Sequence, residues 1–395
     1  MNLRIRLLVI VFSLLFACSN NNKNEEIKLF PDKIKLKENG SINFNSLIKR
    51  MDAVKLESND DCRLARITQL INHKNKYFIW DSKSKQLLVF KENGKFLNKI
   101  GSCGRGPKEF IGVSNFIISS VDNCVKVYDG IRKKILFYDY NGDYIKSVKI
   151  GYYVLRFGEF LNGNYWAFVA GLPDSKNYGE GKELKFVVFS PKGELIKEVF
   201  DTPYEGPNFF TSFSVFQNTN DSLLYTEVLD YSLKIFDGEN LSKGYNFSFN
   251  GYECSKTLRD KFKTDKRSRH LKKELLEKYI LGLDNVLENE DYIYFMYPFK
   301  KQKVNVFLSK KTGEIIEYKG VPMDDTSWKT AMFPKFCDDN YWYTSIDAFR
   351  FELYKEMHTK DWECPKERIE SINREFKNLS STDNPIIIRY ELVEF

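Results

Sequence analysis

The stretches KYFIWDSKSKQLLVFKENGKFLNKIG (76–101) and CVKVYDGIRKKILFYDYNGDYIKSVKIG (124–151) carry the same elements in the same order. Each begins with an aromatic-rich apolar run that ends in aspartate. A polar turn and a second apolar run follow, and Asn-Gly comes twelve residues after that aspartate. An Asn-Gly pair between apolar runs is a strong hairpin signal. The two stretches therefore predict antiparallel meanders, repeated at about 48 residues, a period typical of propeller blades.

Weaker copies of this unit continue along the chain, which separates a propeller from an isolated duplication. Six blades of this length leave room in residues 41–395 for two inserts, whereas five or seven blades fit less well. The sequence therefore predicts an all-β fold, a six-bladed β-propeller of four-stranded antiparallel blades spanning residues 41–395. The weaker copies are 183–200, 222–249, 291–318 and a split unit at 340–354 and 384–395.

Two segments depart from the strand pattern. In residues 254–283, apolar side chains recur every four residues, a spacing that predicts amphipathic helix. In residues 365–379, a proline opens a run of helix-forming residues, and proline is tolerated in a first helical turn. We expect both segments to be helical inserts between strands.

The last blade lacks a strand. Only three strand-like runs fit between residue 333 and the C-terminus, and an open sheet edge would expose unpaired backbone groups. The alternating run MDAVKLES (51–58) belongs to no other blade. We therefore predict that residues 52–58 supply the outer strand of the last blade, so that the two chain ends close the ring.

The N-terminus has the layout of an export signal. Arg4 and Arg6 precede LLVIVFSLLF (7–16), an apolar run too short to span a bilayer as a helix. Leu-Phe-Ala-Cys (15–18) resembles the lipobox of bacterial lipoproteins, which implies cleavage before Cys18 and its acylation. The prediction is a signal peptide at 1–17, a lipidated flexible tether at 18–40 and attachment to the membrane through lipid.

The positive charge of the chain is concentrated in one place. The formal net charge is +7, and residues 256–278 contain ten Lys or Arg against four Asp or Glu. Such a segment suits an anionic lipid or an acidic glycan, and a solvated helix face explains the same pattern. Nucleic acid is not expected as a partner of an exported lipoprotein.

Known catalytic and metal-binding patterns are missing from the sequence. It contains no HExxH, GxSxG or CxxC, and its three histidines are scattered. Six cysteines besides Cys18 have wide spacings, from which no disulfide pairing can be deduced. The sequence therefore predicts no catalytic residue, no cofactor and no metal site, although propeller enzymes assemble sites from residues far apart in sequence.

The segment GSCGRGPKEF (101–110) joins the first two meanders. It lacks the GK[ST] ending of a phosphate loop, and Arg105 and Glu109 are placed either to pair or to reach a ligand. Together with the lipobox and the Asp-to-Asn-Gly repeats, its Gly-x-x-Gly-x-Gly-Pro-x-Glu-Phe pattern resembles the six-bladed β-propeller lipoproteins of Bacteroidetes, relatives of the NHL-repeat propellers. The resemblance covers nearly the whole mature chain. It implies the fold and an outer-membrane location in the cell envelope, facing the periplasm or the surface, but no established reaction.

Two classes of function remain open. The favoured one is a cell-envelope binding or scaffold module for a glycan, a peptide or a protein partner. The alternative is a propeller enzyme, a lyase or hydrolase, with a site at the mouth of the central channel. Propellers bind ligands with non-equivalent loops, and the candidate ligand-face residues are Arg105, Tyr204, Phe209 and Trp328.

Overall fold

The computed structural model describes residues 34–35, 44–170, 184–201, 214–217, 222–226, 229–258, 277–300, 302–322, 333–351, 370, 374 and 376–395. Within these residues the chain forms six sheets with four antiparallel strands each, and one sheet gains a fifth strand. The predicted all-β, six-bladed propeller is confirmed.

The strands follow one another around the ring in chain order. In that order they are β1 (Ile34–Lys35), β2 (Ile48–Val54), β3 (Gln69–His73), β4 (Lys76–Asp81), β5 (Gln86–Lys91), β6 (Phe96–Lys99), β7 (Val113–Ser119), β8 (Cys124–Asp129), β9 (Lys134–Tyr138), β10 (Tyr144–Lys149), β11 (Tyr153–Glu159), β12 (Tyr165–Ala170), β13 (Leu184–Phe189), β14 (Leu195–Asp201), β15 (Ser214–Gln217), β16 (Leu223–Thr226), β17 (Ser232–Phe236), β18 (Leu241–Ser248), β19 (Asp284–Glu288), β20 (Tyr292–Phe299), β21 (Gln302–Ser309), β22 (Ile315–Pro322), β23 (Phe336–Cys337), β24 (Trp342–Ile346) and β25 (Ile386–Leu392). Blades 1 to 5 are β3–β6, β7–β10, β11–β14, β15–β18 and β19–β22, and blade 6 is β23–β25 with β2.

The first strand of each blade lies at the centre of the ring. Contacts join β3 to β7, β7 to β11, β15 to β19, β19 to β23, and β23 back to β3. The apolar clusters lie between neighbouring blades: Tyr77 of blade 1 packs with Val54 and Ile387 of blade 6. Tyr77, Phe78, Tyr292 and Trp342 are buried, whereas Tyr341 is only partly buried. The core is therefore divided among the blade interfaces, and the inner strands surround a central channel.

The hairpin glycines also allow each hairpin to approach the backbone of the preceding blade closely. Gly94, Gly142 and Gly193 have φ values of 82°, 99° and 85°, which L side chains rarely adopt. A Cβ at each position would overlap a backbone carbonyl oxygen at the end of the preceding blade's outer strand. Glycine is thus required twice, for the turn and for the close approach. The oxygens concerned belong to Lys55, Lys99 and Lys149.

The two chain ends close the ring in one blade, as predicted. β2 pairs antiparallel with β25, with Val54 opposite Ile387, and forms the outer strand of blade 6. The paired strand covers Ile48–Val54, whereas the prediction placed it at 52–58. A 3-10 helix at Phe44–Leu47 leads into it.

The segment 18–40, predicted as a flexible tether, contains at least two strand residues. Ile34–Lys35 forms β1, which adds to β18 in the parallel direction, with Ile34 opposite Phe247. Blade 4 is therefore the five-stranded sheet.

Both predicted inserts contain helical residues, but not throughout the part that the structure describes. Residues 256–258 and 277–278 are helical at the two ends of the first insert, and residues 370 and 374 are helical in the second. Residues 254–255, 279–283 and 376–379 are described and are not helical, so the first helical segment ends by residue 278 and the second before residue 376. The other residues of the two inserts lie outside the described part of the chain. A further helical turn covers 348–351, directly after β24.

Candidate functional site

The connections between strands differ in length at the two ends of the propeller. Those joining the first to the second strand, or the third to the fourth, never exceed five residues, as at 160–164. Because neighbouring strands are antiparallel, the other connections leave from the opposite end, which we call the long-loop face. All the long connections start and finish there: 55–68, 100–112, 171–183, 202–213, 249–283, 323–335 and 347–385.

The glycine-rich segment 101–110 is a folded junction on the long-loop face. The Glu109 carboxylate accepts a hydrogen bond from the Gly106 amide at 2.7 Å. Arg132 Nη1 donates to the carbonyl oxygens of Gly106 at 2.9 Å and Glu109 at 2.6 Å. A Cβ at Gly104 would overlap the Glu109 carboxylate. Glu109 and Arg132 therefore serve the junction, whereas Arg105 is exposed and makes no ion pair among the described residues.

The repeated aspartates accept hydrogen bonds from backbone amides in the loops of this face. Asp81 is fully buried, and its carboxylate accepts hydrogen bonds from the amides of Ala65 and Arg66 before blade 1 and of Lys83 and Ser84 after β4. Burial alone would raise the pKa of Asp81, but these hydrogen bonds outweigh it and hold the pKa below its usual value. The aspartate thus joins two connections of the long-loop face to one buried charge.

Asp129 repeats this arrangement in blade 2. It is fully buried and accepts hydrogen bonds from the amides of Ile111, Gly112, Ile131 and Arg132. The aspartate that marks the repeat is therefore structural, because it replaces water around loop amides that the strands leave unpaired.

A group of cations lies where blades 6 and 1 meet the channel mouth. Lys335 directly precedes β23, and its Nζ lies 3.4 Å from the Ser345 carbonyl oxygen. Arg350 Nε is 3.9 Å from the Asp347 carboxylate. Loss of hydration lowers the pKa of Lys335; Asp347 opposes this, while the charges of Arg350 and Arg66 lower it further. Among the described groups that act on the pKa of Lys335, two are cations and one is a carboxylate.

Arg156 is another cation, on the inner strand of blade 3. It lies in the middle of inner strand β11 and is exposed, yet loss of hydration lowers its pKa. Among the described residues, no carboxylate lies within ion-pair distance of Arg156. An anionic group in the channel would offset this loss of hydration.

A cation and an aromatic ring meet on the same face between blades 2 and 3. Lys133 Nζ lies 4.3 Å from the centre of the Tyr153 ring, which is half-buried at the start of β11. The neighbouring Tyr152 is buried and belongs to the core. Tyr153 is the aromatic of this pair that a ligand can reach.

The predicted site residues fall on this face or outside the described part. Arg105 lies in a connection of the long-loop face. Tyr204, Phe209, Trp328 and Cys18 lie outside the described residues, as does most of the basic segment 256–278. The first two belong to 202–213 and Trp328 to 323–335, segments whose flanking strands end on the long-loop face.

Sequence reasoning missed Arg66, Arg156, Lys335 and Arg350, because each is a lone cation with no motif. One signal was available: YVLRFGE (153–159) is an apolar strand interrupted by a single arginine. Within the described part of the chain, no group of three His, Cys, Asp or Glu side chains is placed to hold a metal ion. No helix found in that part is long and apolar enough to cross a membrane.

Comparisons with known proteins agree with the architecture. The family described as "Domain of unknown function (DUF4934)" matches residues 27–391. No curated protein matches the chain. The fold is similar to that of a protein from Bacteroides fragilis NCTC 9343 described as exported, with a TM-score of 0.73 at 19% identity, covering 91% of this chain and 99% of that one.

A second solved structure, a member of the duf4221 family from Bacteroides vulgatus, has a TM-score of 0.51 at 13% identity and covers 88% of this chain and 98% of its own. At these identities the likeness concerns the fold.

Proposed function

The chain belongs to the DUF4934 family, and we propose that it is an exported binding or scaffold propeller whose partner is held on the long-loop face. One observation carries the proposal. Every long connection leaves and re-enters the propeller at that face, whereas the strands are joined at the opposite face by connections of at most five residues. A ring of equivalent blades gains specificity only where the blades differ, and propeller loops are the usual place for that difference.

The cations of the channel mouth indicate the chemistry of the partner. Arg66, Lys335 and Arg350 lie in connections of the long-loop face next to blades 6 and 1, and Arg156 lies on the inner strand of blade 3. Among the described residues that act on Lys335, Asp347 alone carries a negative charge and raises the pKa of the lysine. A partner with carboxylate, sulfate or phosphate groups fits this site, so an acidic glycan or an acidic segment of a peptide or envelope protein is the partner we propose.

Neutralising two of these cations is expected to weaken binding at least tenfold. The variant Arg156→Gln with Lys335→Gln removes two positive charges whose pKa is lowered by loss of hydration, so an anion gains more from pairing with them than with fully hydrated cations. Binding is measured by isothermal titration with hits from an array of acidic glycans and acidic peptides. The control is Lys192→Gln with Lys311→Gln, which removes the same charge from exposed turns of the opposite face.

Equal affinity of the two double variants would contradict the proposed site. Affinity that is retained by the control and lost by the channel variant, at an unchanged melting temperature, supports it. Turnover of any array compound would instead favour the enzyme alternative.

We further propose that the protein is an outer-membrane lipoprotein, which would anchor the propeller to the envelope through Cys18. The lipobox supports this proposal. The parent is expected to enter the detergent phase and to incorporate a palmitate analogue, because several acyl chains on one residue give a stable anchor. Cys18→Ser is expected to do neither, and equal labelling of the two forms would exclude lipid attachment at this residue.

A further inference from the structure

A groove lies on the short-turn face of blade 1, at the other end of the propeller from the long loops. Its cavity volume is about 740 Å³, within the range of small-molecule sites. One wall is formed by Asn75, in the turn before β4, and by Lys76, the first residue of β4. The other wall is the hairpin after β5. Blade 6 contributes one residue across the blade interface. The lining residues are Asn75, Lys76, Lys91, Glu92, Asn93, Leu97 and Arg389.

Two lysines stand directly opposite each other in this groove. Lys76 of β4 pairs with Lys91 of β5, so both side chains leave the same face of the sheet. Like charges in this position destabilise a sheet. Neither lysine makes an ion pair among the described residues. The fold therefore keeps an arrangement that costs stability and that no described neighbour offsets.

The lysine pair is specific to blade 1. In blade 2, Val125 pairs with Tyr138 in the same way as Tyr77 pairs with Phe90 in blade 1. The residues that correspond to Lys76 and Lys91 are therefore Cys124 and Asp139. In blade 5 the corresponding pair is Tyr292 and Ser309. Blades 2 and 5 thus form four strands without cations at these two positions. The architecture of a blade therefore does not explain why blade 1 has Lys76 and Lys91.

Arg389 neutralises the acidic residue of the groove. Its Nη1 donates to Glu92 Oε1 at 2.6 Å, and its Nε lies 3.6 Å from Asp52. Its guanidinium carbon lies 4.9 Å from the centre of the Tyr341 ring. Burial lowers the pKa of Arg389, but Glu92, Tyr77 and Asp52 more than offset this and raise it. Glu92 is therefore engaged, and the charges of Lys76 and Lys91 stay uncompensated.

We propose that this groove binds a small hydroxylated anion, a saccharide unit that carries a carboxylate or a phosphate. The two lysines take the anionic group. The Asn75 side chain and the Asn93 amide group supply hydrogen bonds for hydroxyl groups, and the volume exceeds what inorganic phosphate alone would fill. The site lies at the opposite end from the proposed partner site and does not depend on it.

Isothermal titration of the parent with glucuronate, glucose 6-phosphate, glucose and inorganic phosphate tests the proposal. We expect the two acidic sugars to bind at least tenfold more tightly than either glucose or inorganic phosphate. In Lys76→Gln with Lys91→Gln, acidic-sugar affinity should fall at least tenfold, while the melting temperature stays equal or rises because the repulsion is gone. The control, Lys83→Gln with Lys95→Gln, removes the same charge from exposed residues of blade 1 outside the groove and should retain affinity within twofold.

Three results would overturn the proposal. These are no binding of either acidic sugar, equal affinity for glucose and glucuronate, and unchanged affinity in the Lys76 and Lys91 double variant. The channel variant Arg156→Gln with Lys335→Gln should leave this binding intact, so failure at one site is distinguishable from failure at the other.

Discussion

A proline at Ile387 is expected to abolish cooperative folding of the whole propeller. Ile387 is fully buried in β25, between Val54 of β2 and Ser345 of β24. Because β25 is paired on both sides, its amides face a neighbouring strand, and proline cannot donate there. The loss should reach 4 to 5 kcal/mol or more, a large share of the roughly 5–15 kcal/mol that stabilises a domain.

The measurement is urea unfolding followed by tryptophan fluorescence and far-ultraviolet circular dichroism. Ile387→Val is the matched control, since it keeps the backbone donor and should cost only about 1 kcal/mol. Removing the last two residues is a second control, because it deletes chiefly the stacking of Phe395 on Tyr292, at 4.9 Å between ring centres. A proline variant as stable as the valine variant would show that ring closure contributes little to stability.

Local turn chemistry and a constant period were enough to predict the fold. Asn-Gly pairs mark hairpins by their own backbone preference, so they can be identified without tertiary information. The closing strand was placed four residues too late for a physical reason. Leu56 is fully buried in the cluster between blades 6 and 1, although β2 ends at Val54. The alternation of apolar and polar residues in 52–58 therefore reflects which side chains are buried. Pairing with β25 ends at Val54, whereas burial continues to Leu56.

The functional residues could not be predicted in the same way. Arg156 and Lys335 are distant in sequence, and only the closed ring brings the inner strands β11 and β23, in or next to which they lie, around one axis. The glycine-rich segment drew attention to Arg105, yet Arg132, 27 residues further on, holds that junction together. A linear motif shows where the backbone is unusual, whereas a channel site depends on which side chains the ring brings together.

Asp81→Asn is expected to lower the free energy of unfolding by about 2–3 kcal/mol at pH 7. The buried carboxylate accepts four backbone amides, and a carboxamide replaces one charged acceptor oxygen by a donor. The pKa of Asp81 is held below its usual value, so its contribution is present above the unfolded pKa of about 3.9 and is lost as pH falls through the folded pKa.

Urea unfolding of parent and Asp81→Asn between pH 7 and pH 3 measures this effect. The difference in stability should be largest at pH 7 and should shrink in acid. Asp60→Asn is the control, since Asp60 is an exposed carboxylate of the connection 55–68 and makes only a surface contact of 3.8 Å with Arg63. A stability difference that does not change with pH would show that the charge of Asp81 is not what holds the loops.

Asp81 also connects the stability of the fold to the channel mouth. The carboxylate binds the backbone amide of Arg66 at 3.2 Å, and Arg66 contributes to the electrostatics of Lys335. We therefore expect Asp81→Asn to weaken binding at the long-loop face severalfold at temperatures where the variant is fully folded, and to leave acidic-sugar binding in the blade 1 groove unchanged. If both sites weaken together, the substitution acts through global stability, and the repeated aspartate has no separate role in presenting the loops.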